Sequence, residues 1–364
     1  MPRRRAFSIG GHTVKPGESR DLLLDISESY TGDPVRMPVH VIHARTDGPV
    51  VLVTAAIHGD EINGTGIIHD FLFGETIQLL KGTLVLVPVV NIFGFEAQER
   101  YLPDRRDLNR SFPGNKTGSL ASRVAYTLMQ ELPKRADFCI DLHSAAAQRT
   151  NYPNVRADLA NPEVRRLARA FGCALVVDGK GPIGSFRREA TRLNCPTIIL
   201  EAGEPWKMEP SVLQIGVQGI RNVLIEFGML EGARIPPPYL ATIRKTTWLR
   251  ATVGGILKFH IAPGAFVEED EPLATNYSIF GKEQNILRAP TTGIVVGMAT
   301  MPAVKPGEPV CHLALVPKAR LERFRRQWAG TTGDPYRRAR RHLATNVSVV
   351  EHEETAAQNS GANP

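Results

Sequence analysis

Val50-Val51-Leu52-Val53-Thr54-Ala55-Ala56-Ile57-His58-Gly59-Asp60-Glu61 is the stretch on which the fold turns. Eight uncharged residues, from Val50 to Ile57, predict a strand buried on both faces. The run then ends in groups that a dry core does not hold without partners. The same design recurs downstream, where Asp137 to Leu142 runs into His143 and Pro196 to Leu200 runs into Glu201-Ala202-Gly203. Thr83 to Val90 and Ala174 to Val177 are further strand candidates. Between them Ile62 to Phe73, Ser119 to Leu132, Pro162 to Phe171, Ser185 to Leu193 and Pro210 to Met229 carry helical periodicity. This alternation is the signature of an α/β domain with a largely parallel sheet. Ligands of such sheets bind beyond the carboxyl ends of the strands, so three runs aim His58, Glu61, His143 and Glu201 at one rim.

Outward from these runs, Arg20 to Ile26 and Pro38 to Ala44 alternate like antiparallel strands, so residues 1–48 read as a β arm of the α/β domain, itself residues 49–238. Pro236-Pro237-Pro238 closes it, since consecutive prolines continue neither a helix nor a central strand. Residues 239–316 have a different, β-like texture. Gly255-Ile256, Pro263-Gly264 and Glu271-Pro272-Leu273 recur as Gly293-Ile294, Pro306-Gly307 and Glu308-Pro309-Val310. The repetition predicts two similar halves of a small β-sandwich. Arg320 to Arg326 predicts a helix, and Thr345 to Pro364 lacks core-forming residues. Residues 317–364 therefore read as a basic then disordered tail that activity does not need.

The chain has 364 residues and a formal charge of +7, and the location of that charge matters more than its size. Arg3, Arg4 and Arg5 contribute +3, residues 317–343 contribute +7 and residues 344–364 contribute −3, which leaves residues 6–316 neutral. The body does not look like a nucleic-acid-binding domain. No apolar stretch approaches the roughly 18 residues of a membrane span. Cys139, Cys173, Cys195 and Cys311 stand singly, which argues against a disulfide framework or zinc ribbon and for a reducing, cytoplasmic setting. Arg4-Arg5 lacks the apolar run that an export signal needs, and we read that pair as chance.

The residue types at the rim select the chemistry. Two imidazoles and one carboxylate form the ligand set of a catalytic zinc site, which keeps one position open. His58 and Glu61 lie three residues apart, His143 supplies the third ligand, and one zinc ion per chain is expected. Bound zinc lowers the pKa of its water to about 7. Glu201, the other acid at a strand end, suits the proton shuttle. In Asp107-Leu108-Asn109-Arg110-Ser111-Phe112-Pro113-Gly114, Arg110 can fork onto a substrate carboxylate with Asn109 beside it, although the segment also reads as an ordinary turn.

With these motifs the sequence resembles the succinylglutamate desuccinylase/aspartoacylase family over roughly residues 5–316. His58-Gly59-Asp60-Glu61 is similar to the family's zinc motif, His143 to its second histidine, Asp107 to Gly114 to its D-L-N-R segment, and Glu201-Ala202-Gly203 to its general-base motif. The resemblance implies a zinc carboxypeptidase-like mixed, mostly parallel sheet flanked by helices. It also implies a small C-terminal β-sandwich of biotinyl/lipoyl type. By the same resemblance Arg100 contacts the scissile carbonyl and Arg187 is a second substrate-carboxylate arginine.

The expected activity is removal of an acyl group from an N-acyl amino acid or a similar small amide, with a small-molecule substrate and neither nucleic acid nor membrane as partner. Monomer and homo-oligomer both remain open. One rival is a zinc carboxypeptidase acting on a peptide or cell-wall fragment. Another is a non-catalytic binding module working through Lys282, whose setting otherwise predicts a surface loop overhanging the active site, with Tyr277 nearby.

Overall fold

The computed structural model describes residues 4–74, 77–330 and 334–347. A hairpin of β1 (Phe7–Ile9) and β2 (His12–Val14) leads into two long antiparallel strands, β3 (Glu18–Glu28) and β4 (Pro34–His43). The α/β part follows as β5 (Val50–Ala55), α1 (Asn63–Gly74), β6 (Thr83–Val87), α2 (Ile92–Ala97), α3 (Leu120–Glu131), β7 (Phe138–His143), β8 (Arg149–Ala157), α4 (Pro162–Phe171), β9 (Leu175–Asp178), α5 (Phe186–Arg192), β10 (Thr197–Gly203) and α6 (Pro210–Glu226). Strands β6, β5, β7 and β10 lie side by side and parallel, with β4 and β3 antiparallel at one end. The core strands of the sequence reading are all present. The register sets Glu201 opposite His143, so two rim residues become neighbours through the ladder itself.

Local chemistry explains why several boundaries were readable. Asn161 caps α4 by accepting from the N–H groups of Glu163 and Val164, Pro162 takes the first turn, and Gly172 ends the helix at φ +76°. Strand β8 was not anticipated. It lies antiparallel between β10 and a C-terminal strand, and it carries Pro153. The proline is tolerated because β8 changes partner there, pairing through Asn151 on one side of the break and from Asn154 with β9 on the other.

The C-terminal strands are β11 (Ala241–Ile243), β12 (Thr246–Arg250), β13 (Gly255–Phe259), β14 (Phe266–Val267), β15 (Pro272–Tyr277), β16 (Glu283–Arg288), β17 (Gly293–Ala299), β18 (Ala303–Val304) and β19 (Pro309–Leu315). The two sequence halves exchange their short strands: β14 pairs with β17, and β18 pairs with β13. A boundary of the sheet at residue 238 does not exist, however. Gly297, Met298 and Ala299 of β17 pair with Asn151, Thr150 and Arg149 of β8, so β12, β19 and β17 continue the catalytic sheet.

The segment 317–343 also corrects its reading as a tail. This part of the chain forms α7 (Lys318–Ala329) and α8 (Pro335–Val347), and α8 runs on through Thr345 to Val347. Leu321, Phe324, Tyr336, Ala339 and Leu343 join the same buried cluster as Phe171, Val212 and Val296. Removing it would uncover that core, so a truncated chain is expected to lose stability. The disorder expected from Thr345 onward lies, from residue 348, outside the described residues.

Candidate active site

Strand β5 leaves the sheet through Ala56, at φ +51°, and the His58-Gly59-Asp60 turn. A Cβ on Gly59 would lie 1.8 Å from the carbonyl carbon of Gly94, so only glycine lets this turn close onto α2. The turn presents His58 and Glu61 beside His143 at the end of β7, and all three are buried. One donor atom from each lies within 4.8 Å of the others. His58 Nδ1 is 2.7 Å from Glu61 Oε1, and His143 Nδ1 is 2.8 Å from Glu61 Oε2.

An outer ring of acids holds this set. Asp107 Oδ1 lies 3.0 Å from His58 Nε2, and Asp141 Oδ2 lies 2.9 Å from His143 Nε2. Thr54 donates to the other oxygen of Asp141 at 2.7 Å. Arg100 donates to Glu61 at 3.1 Å and to Asp107 at 3.0 Å. Burial alone would lower both histidines, but Glu61 and Asp107 around His58, and Asp141 and Glu61 around His143, hold them above their ordinary value. Burial would likewise raise Glu61, and the two imidazoles instead hold it well below the usual carboxylate range.

Without a metal, each imidazole facing two carboxylates must carry two protons. A divalent cation among the inward atoms would take the place of the inner protons, while Asp107 and Asp141 fix the ring orientations from behind. Two imidazoles and a carboxylate, oriented by outer carboxylates, fit zinc.

The opposite wall is built differently. The Asp107 to Gly114 segment is tied to the start of α5, where Phe112 N–H donates to Gly184 O and Phe186 N–H donates to Asn109 Oδ1. This docks Asn109 and Arg110 beside Arg187. The Arg187 side chain is buried, and its Nε and Nη1 have no hydrogen-bond partner. Burial, and then the charge of Arg156, push it down to about 10. Glu201, on β10, accepts from Asn151 Nδ2 at 3.1 Å and lies 3.5 Å from Arg156 Nε.

The eight residues expected to bind metal, bind substrate or catalyse line one cavity of about 300 Å³: His58, Glu61, His143, Glu201, Arg100, Asn109, Arg110 and Arg187. Arg110 is exposed, and its Nη1 donates to the carbonyl of Asn109. Arg100 is more committed than expected, with both terminal nitrogens engaged by Glu61 and Asp107. The reading missed Arg149, Asn151 and Arg156 on β8, and Trp248 on β12, which also line the cavity. Trp248 stacks on His312 at 4.6 Å between ring centroids, and Arg149 lies over its ring at 5.2 Å. The C-terminal strands thus reach the site through Trp248, and neither Tyr277 nor Lys282 lines it.

This fold and ligand set define a class. Residues 47–227 match the succinylglutamate desuccinylase/aspartoacylase catalytic domain, and the chain belongs to that family. It is 27% identical over 296 residues to the N-alpha-acetyl-L-2,4-diaminobutyric acid deacetylase of Halomonas elongata, a match that covers 78% of this chain and 86% of that one. Its fold is similar to the product-bound ectoine utilization protein of Ruegeria pomeroyi, with a TM-score of 0.72 and 24% identity over 82% of this chain and 95% of that one. A succinylglutamate desuccinylase from a Silicibacter species gives 0.73 and 22%, over 87% and 99%. Among the described residues no helix is long and apolar enough to cross a membrane.

Proposed function

We propose that this protein is a zinc-dependent amidohydrolase that removes the acyl group from an N-acyl amino acid or a similar small carboxylate-bearing amide. One observation carries the reading. A single cavity brings together a buried metal-donor triad, a carboxylate outside that triad, and a buried guanidinium with two unanswered nitrogens. The name of the Halomonas elongata relative, a deacetylase of an N-acetyl amino acid, supports the same chemistry. A volume of about 300 Å³ suits a small substrate better than a peptide or cell-wall strand.

On this reading Arg187, with Arg110 and Asn109 at the rim, anchors the substrate carboxylate by charge-assisted hydrogen bonds. Zinc held by His58, Glu61 and His143 would polarise the scissile carbonyl and acidify a water. Arg100 steadies Glu61 and Asp107 and offers its remaining N–H groups toward the carbonyl oxygen. Glu201 accepts the proton of the attacking water on its carboxylate and returns it to the leaving amine nitrogen. Asn151 and Arg156 hold Glu201 in place for both transfers. We further read the main sheet as zinc carboxypeptidase-like and the exchanged C-terminal strands as a biotinyl/lipoyl-type sandwich, with the work done in the cytoplasm.

The test is a panel of N-acetyl, N-succinyl and N-formyl amino acids, scored by amine release. Release from at least one, abolished by chelation and restored by zinc, is expected. No release across the panel by zinc-loaded protein, with cleavage of carboxyl-terminal residues from peptides, would favour the carboxypeptidase instead.

A further inference from the structure

A second cavity, about 670 Å³ in volume, lies away from the metal-donor site between α4, β9, β11 and the start of α7. Four guanidinium groups line it, from Arg165 and Arg169 on α4, Arg244 just after β11 and Arg320 on α7. Among the described residues Asp178 is its one lining carboxylate, and its Oδ1 accepts from the N–H of Leu159 at 3.0 Å. Among the described residues none of the four arginines makes an ion pair. Arg165 only donates to a backbone carbonyl, that of Leu159, at 2.8 Å.

The contrast within α4 makes this more than ordinary surface charge. Arg166, on another face of the helix, lies 3.8 Å from each of Glu163 and Glu226. Arg165 and Arg169, one turn apart and facing the cavity, have no such acid and repel each other. Arg320 belongs to the basic segment whose charge the catalytic reading leaves unused. The packing of α7 against the core brings that charge to the cleft.

We propose that this cleft binds a small diphosphate-bearing molecule of the nucleoside diphosphate class. A single carboxylate would answer one guanidinium, whereas two linked phosphates offer enough oxygens for bidentate contact with several. Val176 and Leu240 give an apolar surface for a base, and Asp178 can accept from a hydroxyl. The site is concave and of small-molecule size, which favours a compact ligand over a nucleic acid or a membrane.

The test is calorimetric titration of the full-length protein with ADP, inorganic pyrophosphate and adenosine at constant ionic strength. ADP and pyrophosphate are expected to bind one per chain and adenosine not to bind. The double substitution Arg169→Ala/Arg244→Ala should weaken ADP by about tenfold or more, with zinc content and thermal midpoint kept as controls of folding. Absence of binding, unchanged affinity in the double variant, or loss of binding in Arg187→Ala instead would overturn the proposal. So would binding of a polynucleotide through these arginines without binding of ADP.

Discussion

The two walls of the active-site cavity treat charge in opposite ways. On the metal side the three candidate donors are all answered. Glu61 meets two imidazoles and Arg100, and each imidazole meets a further acid. On the other side cations are in excess. Glu201 lies beside Arg156, while Arg187 is buried with two nitrogens unanswered. Burying an unpaired charge is costly, and burying a paired and hydrogen-bonded one much less so. On the proposed function the closed ring would take a cation in place of its inner protons, and an anionic substrate would answer the open wall.

The two walls differ most at Arg187. Arg187→Met is expected to lower kcat/KM for an N-acyl amino acid by about 10²-fold or more, chiefly through KM. The same variant should raise the thermal midpoint, because an unanswered buried charge is gone. A loss of both activity and stability would mean that Arg187 is already satisfied in the free protein. On the metal side, Asp141→Asn removes the acid behind His143 and should weaken zinc by about 10- to 100-fold, read by competition with a chelator.

A smaller effect is expected at Arg156, about tenfold in kcat with KM little changed in Arg156→Ala. Added guanidinium ion, but not urea, should restore part of it, since a positive charge beside Glu201 is what the variant lacks. The acid response of His312 concerns stability instead of turnover. Burial, and next the charge of Arg156, push it down to about 4. A folded value below the unfolded one means that the unfolded chain takes up the proton first as pH falls. Stability present in full above about pH 6.5 is then lost toward pH 4, on the order of 3 kcal/mol. Thermal melts from pH 7 to 4 should show a shallower decline for His312→Gln than for the wild type.

How far the sequence reveals this molecule depends on whether burial and polarity agree. Strands β5, β7 and β10 are apolar and buried, so their ends, and with them His58, His143 and Glu201, were readable. Strand β8 is central yet polar, because Asn151 and Arg156 face the cavity while Tyr152 and Val155 face the core. Its proline, harmless where the partner strand changes, completes the disguise. The helical pair at the C-terminus hides for a related reason. Leu321 and Phe324, and then Tyr336, Ala339 and Leu343, keep helical spacing, but the arginines around them dominate the composition. What no composition shows is that β17 joins β8 and thereby brings Trp248 to the site.

The proposed proton transfer by Glu201, beside a metal held by His58, Glu61 and His143, is tested most directly by measuring zinc content and turnover together in Glu201→Gln. Zinc is expected to remain at about one per chain, as in the wild type, with kcat on an N-acyl amino acid reduced by about 10²- to 10⁴-fold. Wild-type turnover with zinc retained would contradict the account.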